Sequence, residues 1–245
     1  MWILALMLVL LSVLYWRWRR SGLILIEFVC LGILHAYARW WYRCSHHYLA
    51  PLPRKGAVVL ASNHTCSTDP LFLTVSCPRL ICFLFAQEYY RVPLVWWLFD
   101  YLQCVPVLRN GRDVTAVRQA LKRLADGLLV CVFPEGGLRN AGRAVVRNGK
   151  AGATLLALRS GAPLVPVSIR GGPQTSHVAR SWLMPTGRCT HVLFGPVVDL
   201  SAYRGQPITR PLLEQANRLV MAALAELEKR DCHRQEVLQL SDYRT

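Results

Sequence analysis

Aspartate and glutamate are scarce in this 245-residue chain: 14 of them stand against 29 lysines and arginines, for a net charge of +15. Such an excess points to an anionic partner: a membrane surface, a phosphorylated substrate, an acidic protein or nucleic acid. Lysine is rarer still, with only four. Arginine suits bidentate phosphate contacts, but a skew of this kind also follows genome composition. The nine cysteines contain no CxxC pair and no Cys/His metal spacing, which excludes a zinc module. Their number is odd and most lie in apolar runs, where thiols behave as small core residues, so a reduced, cytoplasmic setting is expected for the main domain. No helix-turn-helix, RNA-binding aromatic motif, internal repeat or low-complexity segment is present. With 53% hydrophobic and 18% charged residues, the chain is not disordered. It can bury one substantial core, as a single domain with an appendage.

The appendage is N-terminal. Residues 1–16 carry no ionisable side chain, and Arg17, Trp18, Arg19 and Arg20 follow at once. A cleaved signal peptide has the opposite order, charge first and small residues after. Sixteen helical residues reach about 24 Å against a hydrocarbon core of about 30 Å, so the segment either spans marginally or lies shallowly in one leaflet. Residues 23–38 form a second apolar stretch, interrupted by Glu27 and His35 and followed by Arg39, Trp40, Trp41, Tyr42 and Arg43. If both stretches spanned, one arginine cluster would lie on the wrong side of the bilayer. Residues 1–50 are therefore expected to be membrane-anchoring helices, as a re-entrant pair or one span plus an interfacial helix. The expected location is a membrane, with the main domain on its cytoplasmic side.

From residue 51 the pattern changes to short apolar runs separated by amphipathic helices. Strands are predicted over 57–61, 80–85, 128–133, 164–169 and 191–194. Most are continuous apolar runs, as a sheet covered on both faces requires. Helices are predicted over 113–125, 151–159 and 212–230, the second ended by Gly161, Ala162 and Pro163. The alternation predicts an α/β fold, a mixed or largely parallel sheet flanked by helices, in a domain over 51–230 followed by a mobile tail over 231–245.

The first predicted strand runs into ASNHTCSTDP. Histidine and aspartate five residues apart lie about 140° apart on a helix, so His64 and Asp69 can meet only across a turn. Aspartate is a favoured N-cap and proline a favoured first helical residue, which predicts a helix from Pro70 and a turn before it. That turn can bring the imidazole back to the carboxylate. Asp69 would then fix the tautomer and leave the other ring nitrogen as a base. Three further segments sit where functional groups of α/β sheets gather. In VPVLRNGRD, Arg109 stands in a turn before a helix and could bind an anion with free backbone N–H groups. FPEGGLRN follows the third predicted strand. In PLVPVSIRG, Pro166 interrupts an apolar strand and predicts an edge or a bulge.

Taken in order, these blocks resemble the glycerolipid acyltransferases of the 1-acyl-glycerol-3-phosphate O-acyltransferase family, known in bacteria as the PlsC family. NHTCSTD stands for the family's Asn-His-x4-Asp block, PVLRNGRD for the second, FPEGGLRN for the Phe-Pro-Glu-Gly block and VPVSI for the fourth. LFGPVVDLSAYRG matches a frequent downstream segment. The resemblance implies O-acyl transfer from acyl-CoA or acyl carrier protein to lysophosphatidate, with no metal or redox cofactor and no nucleic-acid partner. It implies His64 as the base with Asp69 orienting it, Arg109 on the acceptor phosphate, and Glu135 with the Gly136 backbone shaping the acceptor site.

The family's third block usually continues Thr-Arg, whereas Gly137 and Leu138 stand here and Arg139 comes one position later. Either Arg139 serves after a local shift, or Arg109 holds phosphate with another basic residue, or the acceptor is another lyso-lipid, such as a lyso-ornithine lipid. Cys66 invites a covalent route. A membrane-tethered anion-binding protein explains the charge but not the four blocks, and a thioesterase would use the same site with water as acceptor.

Overall fold

A computed structural model describes residues 12, 15–16, 19, 24–91, 96–108, 113–138, 149–175, 177–184, 186 and 189–242. Within these, helix α1 (Leu25–Trp41) leads into strand β1 (Ser45–Tyr48), then β2 (Val58–Ser62), α2 (Asp69–Ser76) and β3 (Ile81–Ala86). A 3-10 turn (Gln87–Arg91) and α3 (Trp96–Tyr101) precede β4 (Val105–Val107), followed by α4 (Val114–Ala125), β5 (Leu129–Val132), α5 (Gly152–Ser160) and β6 (Leu164–Arg170). The chain continues through α6 (Val178–Leu183), β7 (His191–Phe194), a second 3-10 turn (Ser201–Tyr203) and α7 (Arg210–Asp242).

The strands form one sheet in the order β1-β7-β6-β2-β5-β3-β4. All neighbours are parallel except β6 and β7. The carboxyl ends of β6, β2, β5, β3 and β4 therefore share one end of the sheet with the amino ends of β7 and β1. The VVLAS run of β2 is buried throughout, because both faces are covered. Val58 and Leu60 pack with Ala38 of α1, with Tyr42 just after that helix and with Phe72 of α2. Val59 and Ala61 pack on the other side with Ala120 of α4, Leu156 of α5 and Val220 of α7.

Several expectations change. Strand β1 lies inside the segment expected to hold only anchoring helices, so the sheet begins at Ser45. The last helix runs on to Asp242, and the expected tail continues it. Asp113 caps α4 by accepting from Ala116 N at 2.9 Å. The expectation for residues 1–16 lies almost wholly outside the described residues; among the described residues no helix is long and apolar enough to cross a membrane.

Pro166 sits in a strand paired on both sides, so the edge alternative does not hold. It marks a bulge instead. Val167 pairs with Phe194, whereas Leu164 bridges to Val198, so one extra residue stands opposite the proline. The proline carbonyl still accepts from Gly195 N at 2.9 Å, and a Cβ at Gly195 would come within 2.9 Å of the Pro166 ring. Glycine there lets the bulged chain pass the proline.

Candidate active site

Strand β2 ends at Ser62 and the next residue locks that end. Asn63 donates from Nδ2 to Ile169 O at 2.9 Å and accepts at Oδ1 from Ile169 N at 2.7 Å. This two-point bond ties the ends of β2 and β6 together immediately before His64. Both side-chain functions of a buried asparagine are thereby satisfied.

His64 meets Asp69 as the turn predicted. Its Nδ1 lies 3.0 Å from Asp69 Oδ2, with the carboxylate fully buried and the imidazole 17% exposed. Because a carboxylate only accepts, Nδ1 carries the proton and Nε2 is left with a free lone pair. The ring stacks on Phe133 at a centroid distance of 4.1 Å, which limits its rotation.

The aspartate does not cap its own helix in the expected way. The position before α2 is Thr68, with no side-chain cap bond, and Asp69 turns back over the preceding turn. Its carboxylate accepts from Thr65 N, from Cys66 N at 2.9 Å and from Thr65 Oγ1 at 3.1 Å. The carboxylate oxygens therefore keep hydrogen-bond donors even without the imidazole. The turn residues thus hold the charge in place, and the charge orients the histidine.

Cys66 belongs to this network as a donor. Its Sγ lies 3.1 Å from Asp69 Oδ1 and 3.1 Å from Thr68 Oγ1. Burial, followed by the neighbouring Asp69 charge, pushes the thiol well above the ordinary range, so it is protonated at neutral pH and is no nucleophile. Cys66→Ala is expected to keep activity within about fivefold while lowering stability by about 1 to 2 kcal/mol, for one lost hydrogen bond and a small cavity. Enzyme assay beside denaturant unfolding checks this, and complete loss of activity would restore the covalent route. Peptide mapping after iodoacetamide at neutral pH should find Cys66 unmodified in the folded protein.

The Phe-Pro-Glu-Gly block comes off the adjacent strand, β5. Glu135 Oε1 accepts from His64 N at 3.3 Å, joining the two loops. Gly136 has φ +69°, in the left-handed region that glycine tolerates. A Cβ there would lie 2.8 Å from both Cε and Nζ of Lys150. The lysine therefore folds across the bare glycine, anchored by its own N–H to Pro134 O at 2.7 Å. Sequence reasoning overlooked Lys150, since a lone lysine before a helix reads as a solvated residue. Its rarity, one of four lysines in the chain, was the available signal.

His64, Asp69, Glu135 and Gly136 thus converge at one sheet end. Arg109 and Arg139 lie outside the described residues. The residues flanking the first, Leu108 and Asp113, are drawn together by a 2.8 Å bond from Leu108 N to Asp113 Oδ2, just past the carboxyl end of β4. Together the site holds an imidazole oriented by a buried carboxylate and a lysine side chain across the neighbouring loop.

A family model described as Acyltransferase matches residues 43–170. The 1-acyl-sn-glycerol-3-phosphate acyltransferase of Borreliella burgdorferi is 27% identical over 171 residues, covering 67% of this chain and 66% of that protein. The chloroplastic 1-acyl-sn-glycerol-3-phosphate acyltransferase of Brassica napus is 26% identical over 131 residues, covering 53% of this chain and 35% of that protein. The chain thus spans less than two thirds of the length of each relative. In fold it is similar to the crystal structure of the 1-acyl-sn-glycerophosphate acyltransferase PlsC of Thermotoga maritima, with a TM-score of 0.57 at 24% identity, covering 82% of this chain and 80% of that one.

Proposed function

The chain belongs to the acyltransferase family, and from that premise we propose that it is a membrane-associated O-acyltransferase. It moves a fatty acyl group from acyl-CoA or acyl carrier protein to the sn-2 hydroxyl of lysophosphatidate, giving phosphatidate. The observation that carries this reading is the 3.0 Å contact between His64 Nδ1 and buried Asp69, at the sheet end where the Phe-Pro-Glu-Gly loop also arrives.

His64 Nε2 removes the proton of the acceptor hydroxyl as its oxygen attacks the thioester carbonyl carbon. Asp69 stabilises the imidazolium that forms. When the carbon–sulfur bond breaks, the imidazolium returns the proton to the leaving thiolate. General-base catalysis of this kind contributes about 10² to 10⁴ in rate. The donor arrives activated as a thioester, so the route needs no enzyme nucleophile, metal or redox cofactor.

The acceptor phosphate is held by cations, with Lys150 as a partner to Arg109. This removes the need for the arginine that Gly137 and Leu138 displace. A charge-assisted contact is worth about 1.5 to 3 kcal/mol. Lys150→Met should therefore raise KM for lysophosphatidate roughly 10- to 100-fold, leave KM for the donor unchanged, and be largely rescued by Lys150→Arg. An unchanged acceptor KM would remove Lys150 from the site.

The departure at Gly137 and Leu138 also favours a second reading, in which the acceptor is another lyso-lipid such as a lyso-ornithine lipid. Mass spectrometry of products, with each donor and each acceptor supplied to detergent-purified protein, decides between the two. Phosphatidate supports the first reading and a different acylated lipid the second. Free fatty acid released at a rate indifferent to any lyso-lipid would mean a thioesterase and overturn both.

A further inference from the structure

We propose that α6 is a membrane-docking element that, together with α1, seats the catalytic turn on a bilayer containing anionic phospholipid. Ile26, Val29, Ile33 and Trp40 recur at helical spacing along α1 and are all exposed, Trp40 at 85%. A stripe of that kind on a helix whose other side packs into the core needs an apolar partner. Helix α6 packs directly against α1. The Trp182 and Tyr37 rings stack at 6.3 Å and 2°, and Tyr42 Oη donates to Ser181 O at 2.6 Å. The apolar surface extends onto this short helix, with Leu183 at 73% exposure and Met184 beside it at 48%.

Charge identifies the occupant as a lipid surface. Helix α1 has one acidic residue, Glu27 near its start, and residues 28–48 and 175–195 contain arginines and histidines and no aspartate or glutamate. Arg39, Arg43 and Arg180 are exposed beside the apolar side chains. Tryptophan and arginine around an apolar stripe are the composition of the headgroup region, and the arginines complement its negative surface potential.

Helix α6 also touches the catalytic turn. Ser67, midway between His64 and Asp69, has its Oγ 2.8 Å from Ser181 Oγ and donates to Val178 O at 3.4 Å. Because β1 and β7 run opposite to β2, the end of α1 and the whole of α6 lie at the sheet end where His64 emerges. Docking through α1 and α6 therefore sets the site at headgroup depth, where a lyso-phospholipid need only move sideways to reach the base. This delivery role rests on the lipid-acceptor reading above, whereas the docking does not.

The test replaces Leu183 with a photoreactive diazirine residue in the full chain, and Val197, exposed at the opposite end of the sheet, as control. Each protein is reconstituted in vesicles of phosphatidylcholine alone or mixed equally with phosphatidylglycerol, irradiated, and examined by mass spectrometry for lipid adducts. Adducts at position 183 should exceed those at 197 by about tenfold or more, and should increase with phosphatidylglycerol. Equal yields at both positions, or yields at 183 indifferent to anionic lipid, would overturn the proposal. Neither outcome depends on catalysis, so a protein that acylates nothing could still dock through α6, and an active one could fail to.

Discussion

His64→Ala is expected to lower kcat by about 10² to 10⁴ while leaving the protein folded and KM for both substrates within a few fold. The fold should survive because Asp69 does not depend on the imidazole for its hydrogen bonds. Backbone N–H groups of Thr65 and Cys66 and the Thr65 hydroxyl still donate to it. Removing the ring therefore opens a partly exposed site and leaves no unpaired buried anion. Asp69→Asn should fall in the same range of kcat for a different reason. An amide can present its N–H₂ to Nδ1 and stabilise the wrong tautomer, taking the lone pair away from Nε2. The double variant should be no slower than His64→Ala, since both residues act as one unit. Steady-state kinetics on the three proteins, with unfolding curves beside them, check the set. A double variant slower by the product of the single effects would mean that Asp69 acts on the reaction independently of His64.

The parts of this molecule that could be read in its sequence are those that local chemistry determines. Strands β2, β3, β5, β6 and β7 were expected within one residue of their observed limits, because a strand buried on both faces is a continuous apolar run. The two strands that escaped, β1 and β4, are the two edges of the sheet. The first reads SHHY, with both histidines exposed. The second is three residues long with a proline at its centre. Edge strands need no apolar run, so composition leaves them silent. The same division holds at the site. His64 and Asp69 are five residues apart and their meeting follows from the turn between them. Asn63 with Ile169, Lys150 with Gly136, and Ser67 with Ser181 are contacts between distant segments. Only the strand order and the crossing of loops at one sheet end bring them together.

The cysteines support the largest expected effect on stability, an alkaline collapse. Cys44, Cys66, Cys77, Cys82, Cys104 and Cys131 are buried free thiols. Burial raises each of them: Cys44 to about 11, Cys82 and Cys104 to about 12, and Cys66, Cys77 and Cys131 likewise upward. In the unfolded chain a thiol titrates near about 8.5. Below that value both states hold the proton and the contribution is constant. Above it the unfolded chain releases protons that the folded one retains, so stability falls as pH rises, by about 1.4 kcal/mol per pH unit for each thiol. Five of them, Cys77 aside, together approach roughly 7 kcal/mol per unit, against a typical total of about 5 to 15 kcal/mol for a domain. Denaturant unfolding should therefore show stability nearly flat from neutrality to about pH 8.5 and most of it gone by about pH 10. Cys104→Ala or Cys131→Ala lowers stability at neutral pH through the cavity it leaves, yet makes the alkaline slope shallower by about 1.4 kcal/mol per unit. That opposite movement separates titration from packing. A slope unchanged in these variants would show that the thiols are not what the alkaline limb reports.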